Sequence, residues 1–303
     1  MTTPIEKLTN REKTKAIDSI RVDYPNKYSV GALLNYFEIK RPTYYDERHR
    51  IKNFVDKYDT IKTTIKCIFI DSHETYGYRR IHAMLLQKGI HLAKATVLRL
   101  MNEIGIDNTI YRNHTSTYKS YKGSIGNKAP NILNQEFNEH EPYKVVHTDI
   151  TQIRLSNQKW GYISAMTDEA SKEVLALSIS DHPDKKLIFN TLEQLENVLP
   201  EHAKPIIHSD QGWHYQIADY QKKLKDLNFV QSMSRKGNCH DNAPIESFFN
   251  LLKRECLNRI KISDLSELKQ LVDDYLNWFN SDRISMKTKG LSPIEYRKQA
   301  LAI

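Results

Sequence analysis

Hydrophobic residues follow two different periods along this chain, and the period changes near residue 140. Before residue 107, apolar positions recur every three or four residues, which predicts amphipathic helices. After residue 140, short apolar runs typical of strands alternate with longer helical patterns. The pattern therefore predicts an all-α N-terminal region followed by an α/β domain with a mixed sheet of five strands. The predicted strands are residues 144–155, 160–167, 173–180, 205–209 and 229–233.

The first predicted pair of helices lies at about residues 29–50. Ser29 and Thr43 are each placed to cap a helix in this pair. From about residue 46 to residue 70, the apolar spacing predicts one longer amphipathic helix. Two short helices about a tight turn are helix-turn-helix-like, but an ordinary helical hairpin is an equal alternative.

A second pair of helices is predicted at about residues 76–106, with Gly89 ending its first helix. The cations of this pair are expected to face outward; they are Arg79, Arg80, Lys94 and Arg99. Cations on a helix-turn-helix pair favour contact with DNA. The alternative is a packed helical pair whose basic face is only solvated.

Residues 108–140 are predicted to form a linker, because Gly, Ser, Thr and Asn stand between its cations and tyrosines and make a poor core. Its cations alternate with tyrosines and include Arg112, Lys119 and Lys122. Cations for phosphates and aromatic rings for bases suit a linker that follows DNA. A plain flexible tether is an equal alternative.

The positive charge is concentrated in the N-terminal part of the chain. The net charge is +8, yet residues 1–130 hold 23 Lys and Arg against 13 Asp and Glu, and the remainder holds 22 against 24. This asymmetry predicts a polyanion-binding module in the N-terminal part. A mean hydropathy of −0.62 and the lack of a long apolar run exclude a membrane span. Three cysteines without a C-x-x-C pair fit a reducing cytoplasm.

Three carboxylates are the candidate catalytic residues: Asp149 in or just past the apolar start of a predicted strand, Asp210 directly after another, and Glu246 in the first turn of a predicted helix. Sixty residues separate the first two acids and 35 separate the last two. Strand ends in α/β sheets gather ligands at one edge. Carboxylate oxygens suit Mg²⁺, and two such ions about 4 Å apart act on phosphodiesters. The alternative for isolated acids is an ordinary solvated charge, but each of these stands in an apolar or Gly-rich setting.

The helix that carries Glu246 has a predicted cap at Asp241 or Asn242. Asn250 and Lys253 fall on the same helix face as Glu246. His208, beside the second acid, is a candidate supporting residue, and an ordinary packed histidine is an equal alternative.

At these residues the sequence resembles the OrfB-type transposases of the insertion-sequence-three family, which are DDE transposases related to retroviral integrases. The motifs that carry the resemblance are YGYRRI, HTDIT, HSDQG, SRKGNCHDNAPIESFFNLLKRE and YLNWFNSDRI…GLSPIEYR. The resemblance implies a ribonuclease H-like catalytic core at residues 141–262. A helical DNA-binding region at residues 1–107 precedes it, and a helical tail at residues 263–303 follows.

The resemblance implies that Asp149, Asp210 and Glu246 bind two Mg²⁺ ions, for which Mn²⁺ can substitute, and catalyse 3′-end cleavage and strand transfer of DNA. The residues expected to contact DNA near this site are Arg235, Lys236, Asn250 and Lys253. Asn280 and Arg283 match the tail motif and are expected to support the site.

The partners implied are double-stranded DNA, as terminal inverted repeats and target, and further copies of the chain on that DNA. The family also implies an upstream-frame product, OrfA, or a frameshifted OrfA–OrfB fusion, which would bring end recognition and multimerisation. Two other functions remain open: a catalytically idle DNA-binding regulator of transposition, and a ribonuclease H enzyme.

Overall fold

The computed structural model describes residues 7–107, 128–235 and 239–302. The chain divides into two compact units between residues 63 and 64. Among the described residues, no helix has the length and apolar character needed to cross a membrane.

The first unit is a bundle of three helices: α1 (Asn10–Asp23), α2 (Val30–Tyr36) and α3 (Arg41–Lys52). Its core is closed by Ile17, Leu33, Leu34, Phe37, Ile39 and Tyr44. The Ser29 hydroxyl accepts a hydrogen bond from the Ala32 N–H, so the predicted cap of α2 is confirmed. The predicted cap at Thr43 is wrong, because α3 already begins at Arg41, with a proline in its first turn.

The single helix predicted over residues 46–70 is also wrong, because the chain turns between α3 and α4 (Asp59–Asp71). Asp56 explains the new start: its Oδ1 accepts from the Tyr58 N–H at 2.9 Å, and its Oδ2 lies 2.7 Å from Lys62 Nζ. A side chain that binds backbone N–H groups at the start of a helix favours a boundary there. The apolar period continues across the turn, so it could not reveal the break.

The second unit begins at Thr64, within α4, and contains the predicted helix pair, α5 (Tyr78–Gln87) and α6 (Lys94–Glu103). Gly89 follows α5 with a φ of +75°, a conformation that strongly favours glycine. Ile81, Leu85, Val97 and Leu100 are fully buried. Both helices lie within the predicted residues 76–106, and α5 ends before Gly89, as predicted.

A mixed five-stranded sheet forms the centre of the second unit, which confirms the predicted fold class. The strands are β1 (Val145–Arg154), β2 (Trp160–Asp168), β3 (Val174–Ser180), β4 (Ile206–Ser209) and β5 (Val230–Met233). Their spatial order is β3-β2-β1-β4-β5, with β1, β2 and β3 antiparallel to one another in turn and β4 and β5 parallel to β1.

Helices cover both faces of this sheet. On one face lie α7 (Lys185–Val198), α8 (Trp213–Gln216) and α9 (Ala218–Asp226); on the other lie α10 (Ala243–Glu255) and α11 (Leu265–Ser281), and α12 (Pro293–Leu301) follows near the end of the chain. The alternation of β1 sends Val146 to the first face and Ile153 to the second. β4 ends at Ser209, which pairs with Thr148 in the middle of β1, so Asp149 and Asp210 follow this parallel pairing at one end of β4.

Candidate active site

Parallel pairing of β1 with β4 brings Asp149 and Asp210 side by side. The last paired residues of these strands are Thr148 and Ser209, and each acid follows directly. Strand register therefore juxtaposes two acids that are far apart in sequence. Neither local propensity nor spacing fixes such a register, because it depends on the pairing of distant segments.

Backbone N–H groups orient both carboxylates. Asp210 Oδ1 accepts from the Gly212 N–H at 2.7 Å, and Asp149 Oδ1 accepts from the Ile150 N–H at 2.7 Å. A Cβ atom on Gly212 would lie 2.9 Å from that same Asp210 oxygen. The glycine therefore allows the tight turn that holds the carboxylate.

Glu246 lies in the first turn of α10, and the start of this helix is hydrogen-bonded to β1 at Thr148, the residue before Asp149. Ile245, Phe248, Phe249 and Leu252 pack against the sheet. At the start of the helix, Asn242 Nδ2 donates to the Thr148 carbonyl oxygen at 3.3 Å. Glu246 is thus close enough to Asp149 for its charge to act there.

The charges at this edge interact strongly. Burial raises the pKa of Asp149 well above its ordinary value, and the nearby charges of Asp210 and Glu246 raise it further. Lys253 acts in the opposite direction on Asp149, while burial lowers the pKa of Lys253 itself. Burial also raises the pKa of Asp210. The three carboxylates therefore share one negatively charged edge.

The donor set of this edge fits a hard divalent cation. All three side chains offer carboxylate oxygens, and the raised pKa of Asp149 reflects negative charge that a cation would offset. In the described part of the chain, no group of three or more His, Cys, Asp or Glu side chains is arranged to hold a metal ion. The acids approach one another without forming a closed cage.

Of the two predicted cap residues, Asp241 does not cap α10, and Asn242 holds the cap position. The Asp241 carboxylate accepts from the Arg235 backbone N–H at 2.7 Å and from Arg235 Nε and Nη2 at 3.0 and 2.9 Å. Asn131 and Gln135 also donate to it, at 3.0 and 2.6 Å. Asn242 occupies the cap position of α10 without a capping side-chain bond. These contacts, led by the Arg235 side chain, hold the pKa of Asp241 well below its usual range.

His208 is a buried residue within the sheet. Its Nδ1 lies 2.9 Å from Ser232 Oγ on β5, and burial lowers its pKa to about 4. The neighbouring His147 Nε2 lies 2.7 Å from Glu169 Oε2, with both side chains buried. These contacts match the packed-histidine alternative; a supporting role for His208 stays a prediction.

Three of the four cations predicted on the helix pair lie on its surface. Arg79, Lys94 and Arg99 are exposed, and Arg99 forms an ion pair with Glu103 one turn later. Lys94 is the first residue of α6, where side chains of a helix-turn-helix contact bases and phosphates.

Arg80 does not face outward, so this part of the prediction is wrong. Its side chain is only 15% exposed, and Nη1 lies 3.6 Å from Glu255 Oε1. Its guanidinium also lies over the Tyr76 ring, 4.8 Å from the centroid. A buried carboxylate nearby favours this inward orientation over solvent.

The structure describes three of the remaining predicted DNA contacts, and only two of these three are exposed. Arg235 and Asn250 are exposed, and Lys253 is partly buried beside Asp149. Four of the predicted contacts lie outside the described residues: Arg112, Lys119, Lys122 and Lys236.

Asn280 and Arg283, the residues of the tail motif, both make specific contacts. Asn280 Nδ2 donates to the Val174 carbonyl and Oδ1 accepts from the Val174 N–H, each at 3.0 Å. Arg283 donates two hydrogen bonds of 2.7 Å to Glu255. The first pair holds the tail against β3, and the second holds it against α10.

Glu255 is the functional candidate that the sequence pattern missed. It continues the buried stripe of α10 and is itself only 3% exposed. An acid at a position reserved for apolar residues signals a buried partner, because an isolated buried charge is costly.

A cavity of about 630 Å³ lies on another side of α10. Pro244, Ser247 and Leu251 of α10 line it, together with Met286 and Lys287 of the tail. Its lining, within the described chain, does not include the three acids. The three candidate acids therefore lie outside this cavity.

Three family models match the chain. One integrase core domain model matches residues 139–239, and a second integrase core domain model matches residues 246–301. An HTH-like domain model matches residues 57–114. The matches include the sheet, the helix that carries Glu246, and the α5–α6 pair.

Relatives match over nearly the whole chain. InsK, named as a transposase of insertion sequence element IS150 in Escherichia coli K12, is 39% identical over 285 residues, covering 94% of this chain and 98% of the relative. InsF, named as the transposase of insertion sequence IS3A in the same organism, is 28% identical over 280 residues, covering 91% and 96%. Among solved structures, the HTLV-2 integrase catalytic core domain in complex with magnesium matches 52% of this chain and 97% of that chain, at 15% identity and a TM-score of 0.43.

Proposed function

The chain belongs to the OrfB-type transposases of the insertion-sequence-three family, and from this premise we propose that Asp149, Asp210 and Glu246 catalyse cleavage and joining of DNA. The reaction frees a 3′-OH at the end of a bacterial insertion sequence and transfers it to a second DNA strand. This is a polynucleotidyl transfer carried out without a covalent protein–DNA intermediate.

One observation carries the proposal: two acids follow the last paired residues of adjacent parallel strands, Thr148 and Ser209. Glu246 joins them from α10, whose start is bound to β1 through Asn242. The raised pKa of Asp149 supports a site built to concentrate negative charge. Such charge is costly in a folded protein unless a cation offsets it.

We infer that the three carboxylates hold two Mg²⁺ ions, which Mn²⁺ can replace. When bound, such ions activate an attacking oxygen and stabilise the leaving oxygen of an in-line phosphoryl displacement. Asp210 is kept in position by the Gly212 N–H, and Asp149 by the Ile150 N–H. The charge of Lys253 acts on Asp149, and we propose that Lys253 also binds a phosphate of the DNA end.

The transfer is balanced without an external energy source. Water first attacks a phosphodiester, and the P–O bond to the leaving 3′ oxygen breaks, which frees the 3′-OH. That hydroxyl then attacks a phosphodiester of the second strand, and one P–O bond forms as another breaks. The three carboxylates act at both steps.

DNA is proposed to bind the α5–α6 pair through Arg79, Lys94 and Arg99, and to continue along residues 108–140. The helix pair at residues 29–50 is a further DNA-binding candidate. Partners of the whole system are terminal inverted repeats, target DNA, other copies of this chain, and the OrfA product or its fusion. The site of action is bacterial DNA in the cytoplasm.

The test is the substitution Glu246→Gln, assayed on a duplex that carries the terminal sequences flanking the gene. We expect cleavage and joining to be lost while DNA binding in EDTA is retained. Glu193→Gln on α7 is the matched control, because Glu193 is exposed on the opposite face of the sheet. Normal joining by the Glu246 variant would make the assignment of the three acids wrong. A wild-type protein that binds these ends but never cuts them would instead favour the regulator.

A further inference from the structure

Glu255, the last residue of α10, lies buried where four parts of the second unit meet. Its Oε2 accepts hydrogen bonds from Tyr275 OH at 2.8 Å and from Arg283 Nε at 2.7 Å. Its Oε1 accepts from Arg283 Nη2 at 2.7 Å and lies 3.6 Å from Arg80 Nη1. One carboxylate therefore joins α10 to α11, to the segment after α11, and to α5.

Tyr76, just before α5, strengthens the same junction. Its hydroxyl accepts from the Ile284 N–H at 2.7 Å and donates to the Asp282 carbonyl at 3.3 Å, so it binds both neighbours of Arg283. The Arg80 guanidinium covers its ring. Residues of the helix pair thus hold both Glu255 and the segment that supplies its principal partner.

The geometry of α10 relates this junction to the candidate catalytic acid. Glu246 and Glu255 are nine residues apart, which corresponds to about 13 Å along the axis and about half a turn around it. They lie on opposite sides of one helix. Between them, α10 is held mainly by apolar contacts, which carry no direction. Charge-assisted hydrogen bonds are directional, so Glu255 can fix the rotation and depth of the helix.

We propose that Glu255 is a positioning residue for Glu246. It holds α10 at the rotation that turns Glu246 toward Asp149, and it acts through cations of α5 and of the tail. Arg80 belongs to the α5–α6 pair. The cluster of Glu255, Arg80 and Arg283 therefore connects the proposed DNA-binding helices to the helix that carries Glu246. This inference rests on the proposed function of the three acids.

A purely structural role for Glu255 predicts lower stability and nothing more. The chain offers a matched pair to separate the two roles: Glu173 and Arg297, whose Nε and Nη2 lie 2.5 and 3.2 Å from the Glu173 carboxylate. Glu173 is 6% exposed, close to the 3% of Glu255. This ion pair joins the start of β3 to α12, and neither of its residues belongs to α10.

The experiment compares Glu255→Gln with Glu173→Gln in the full-length chain. For each variant, the melting temperature, its rise on addition of Mn²⁺, and DNA binding in EDTA are measured. The Mg²⁺ concentration that gives half-maximal joining is measured as well. Glu255→Gln should raise that concentration by about tenfold or more and shrink the Mn²⁺-induced rise, with DNA binding kept. Glu173→Gln should lower the melting temperature without changing either metal response.

An unchanged metal response in folded Glu255→Gln overturns the proposal. If Glu255→Gln does not fold, Arg80→Gln is the test, because Tyr275 and Arg283 still bind the Glu255 carboxylate in that variant. Arg80→Gln should shift the metal response in the same direction by a smaller factor. No shift in Arg80→Gln then overturns the proposal. Failure of the proposed function is different: the wild type would not join DNA, and Glu246→Gln would match it.

Discussion

The Gly212 N–H donates to Asp210 Oδ1 at 2.7 Å, and a methyl group on Gly212 would meet that same oxygen at 2.9 Å. One residue thus orients the carboxylate and leaves room for it. The φ of Gly212 is −59°, so this glycine is needed for space and not for a left-handed backbone.

Gly212→Ala should therefore impair the site without unfolding the protein. The added methyl has to push the Asp210 carboxylate or the backbone by a few tenths of an ångström. Because a misplacement of about 1 Å can cost about a hundredfold in activity, we expect a loss of about tenfold here. We expect DNA joining to fall while the melting temperature changes little. Gly31→Ala is the control for an added methyl, because nothing lies within 4 Å of its Cβ. An equal loss of DNA joining in Gly212→Ala and Gly31→Ala would contradict this explanation.

The raised pKa of Asp149 makes stability without metal depend on pH. Burial and the charges of Asp210 and Glu246 favour the protonated acid in the folded state. The stabilising contribution of this group is fully present below its ordinary value of 3.8 and is lost as pH rises through the raised pKa. In EDTA, the wild type should therefore gain less stability between pH 4 and pH 7 than Asp149→Asn does.

Thermal melting checks this expectation across that pH range. Asp149→Asn should melt higher than the wild type at pH 7 in EDTA, by about 2–4 °C for each kcal/mol of repulsion removed. Mg²⁺ should stabilise the wild type and leave the variant nearly unaffected. Identical pH profiles of the two proteins in EDTA would show that Asp149 bears no such repulsion.

Lys94 at the start of α6 should contribute directly to DNA affinity. It is exposed at the position where a recognition helix meets phosphates and base edges. Lys94→Ala should weaken binding and reduce the slope of log K against log salt by about 0.9, the value for one phosphate contact. Arg99→Ala should have a smaller effect, because Glu103 already pairs with Arg99.

Titration of fluorescent duplex DNA at several salt concentrations gives both quantities. Lys186→Ala on α7 is the control, because Lys186 is exposed on the sheet face opposite α10. A Lys94 variant with an unchanged salt slope would mean that α6 does not contact the phosphates.

Apolar period and turn residues were sufficient for most of the elements. All five strands begin and end within one residue of their predicted bounds, and the α5–α6 pair lies within the predicted residues 76–106. The prediction failed between α3 and α4, where the Asp56 side chain starts a new helix within an unbroken apolar period. It also failed at Thr43, because α3 begins at Arg41, two residues before the predicted cap.

Side-chain partners were harder to predict, because they come from distant parts of the chain. Asp241 has a residue type and a position typical of a helix cap, yet its side chain binds Arg235, Asn131 and Gln135. Arg80 belongs to a basic helix, yet it turns toward Glu255. Both choices follow from what lies nearby in space, which a local pattern does not contain.

The sequence by itself determined the order of helices and strands, the basic N-terminal part and the identity of the three acids. The first two depend on residue type and short-range spacing, whereas the three acids were identified as candidates by their motifs and their separation along the chain. Only the tertiary structure decided that Asp149 and Asp210 follow one parallel strand pair in register and that α10 is anchored at Glu255. Register and buried ion pairs are long-range, since they form only when distant segments pack together.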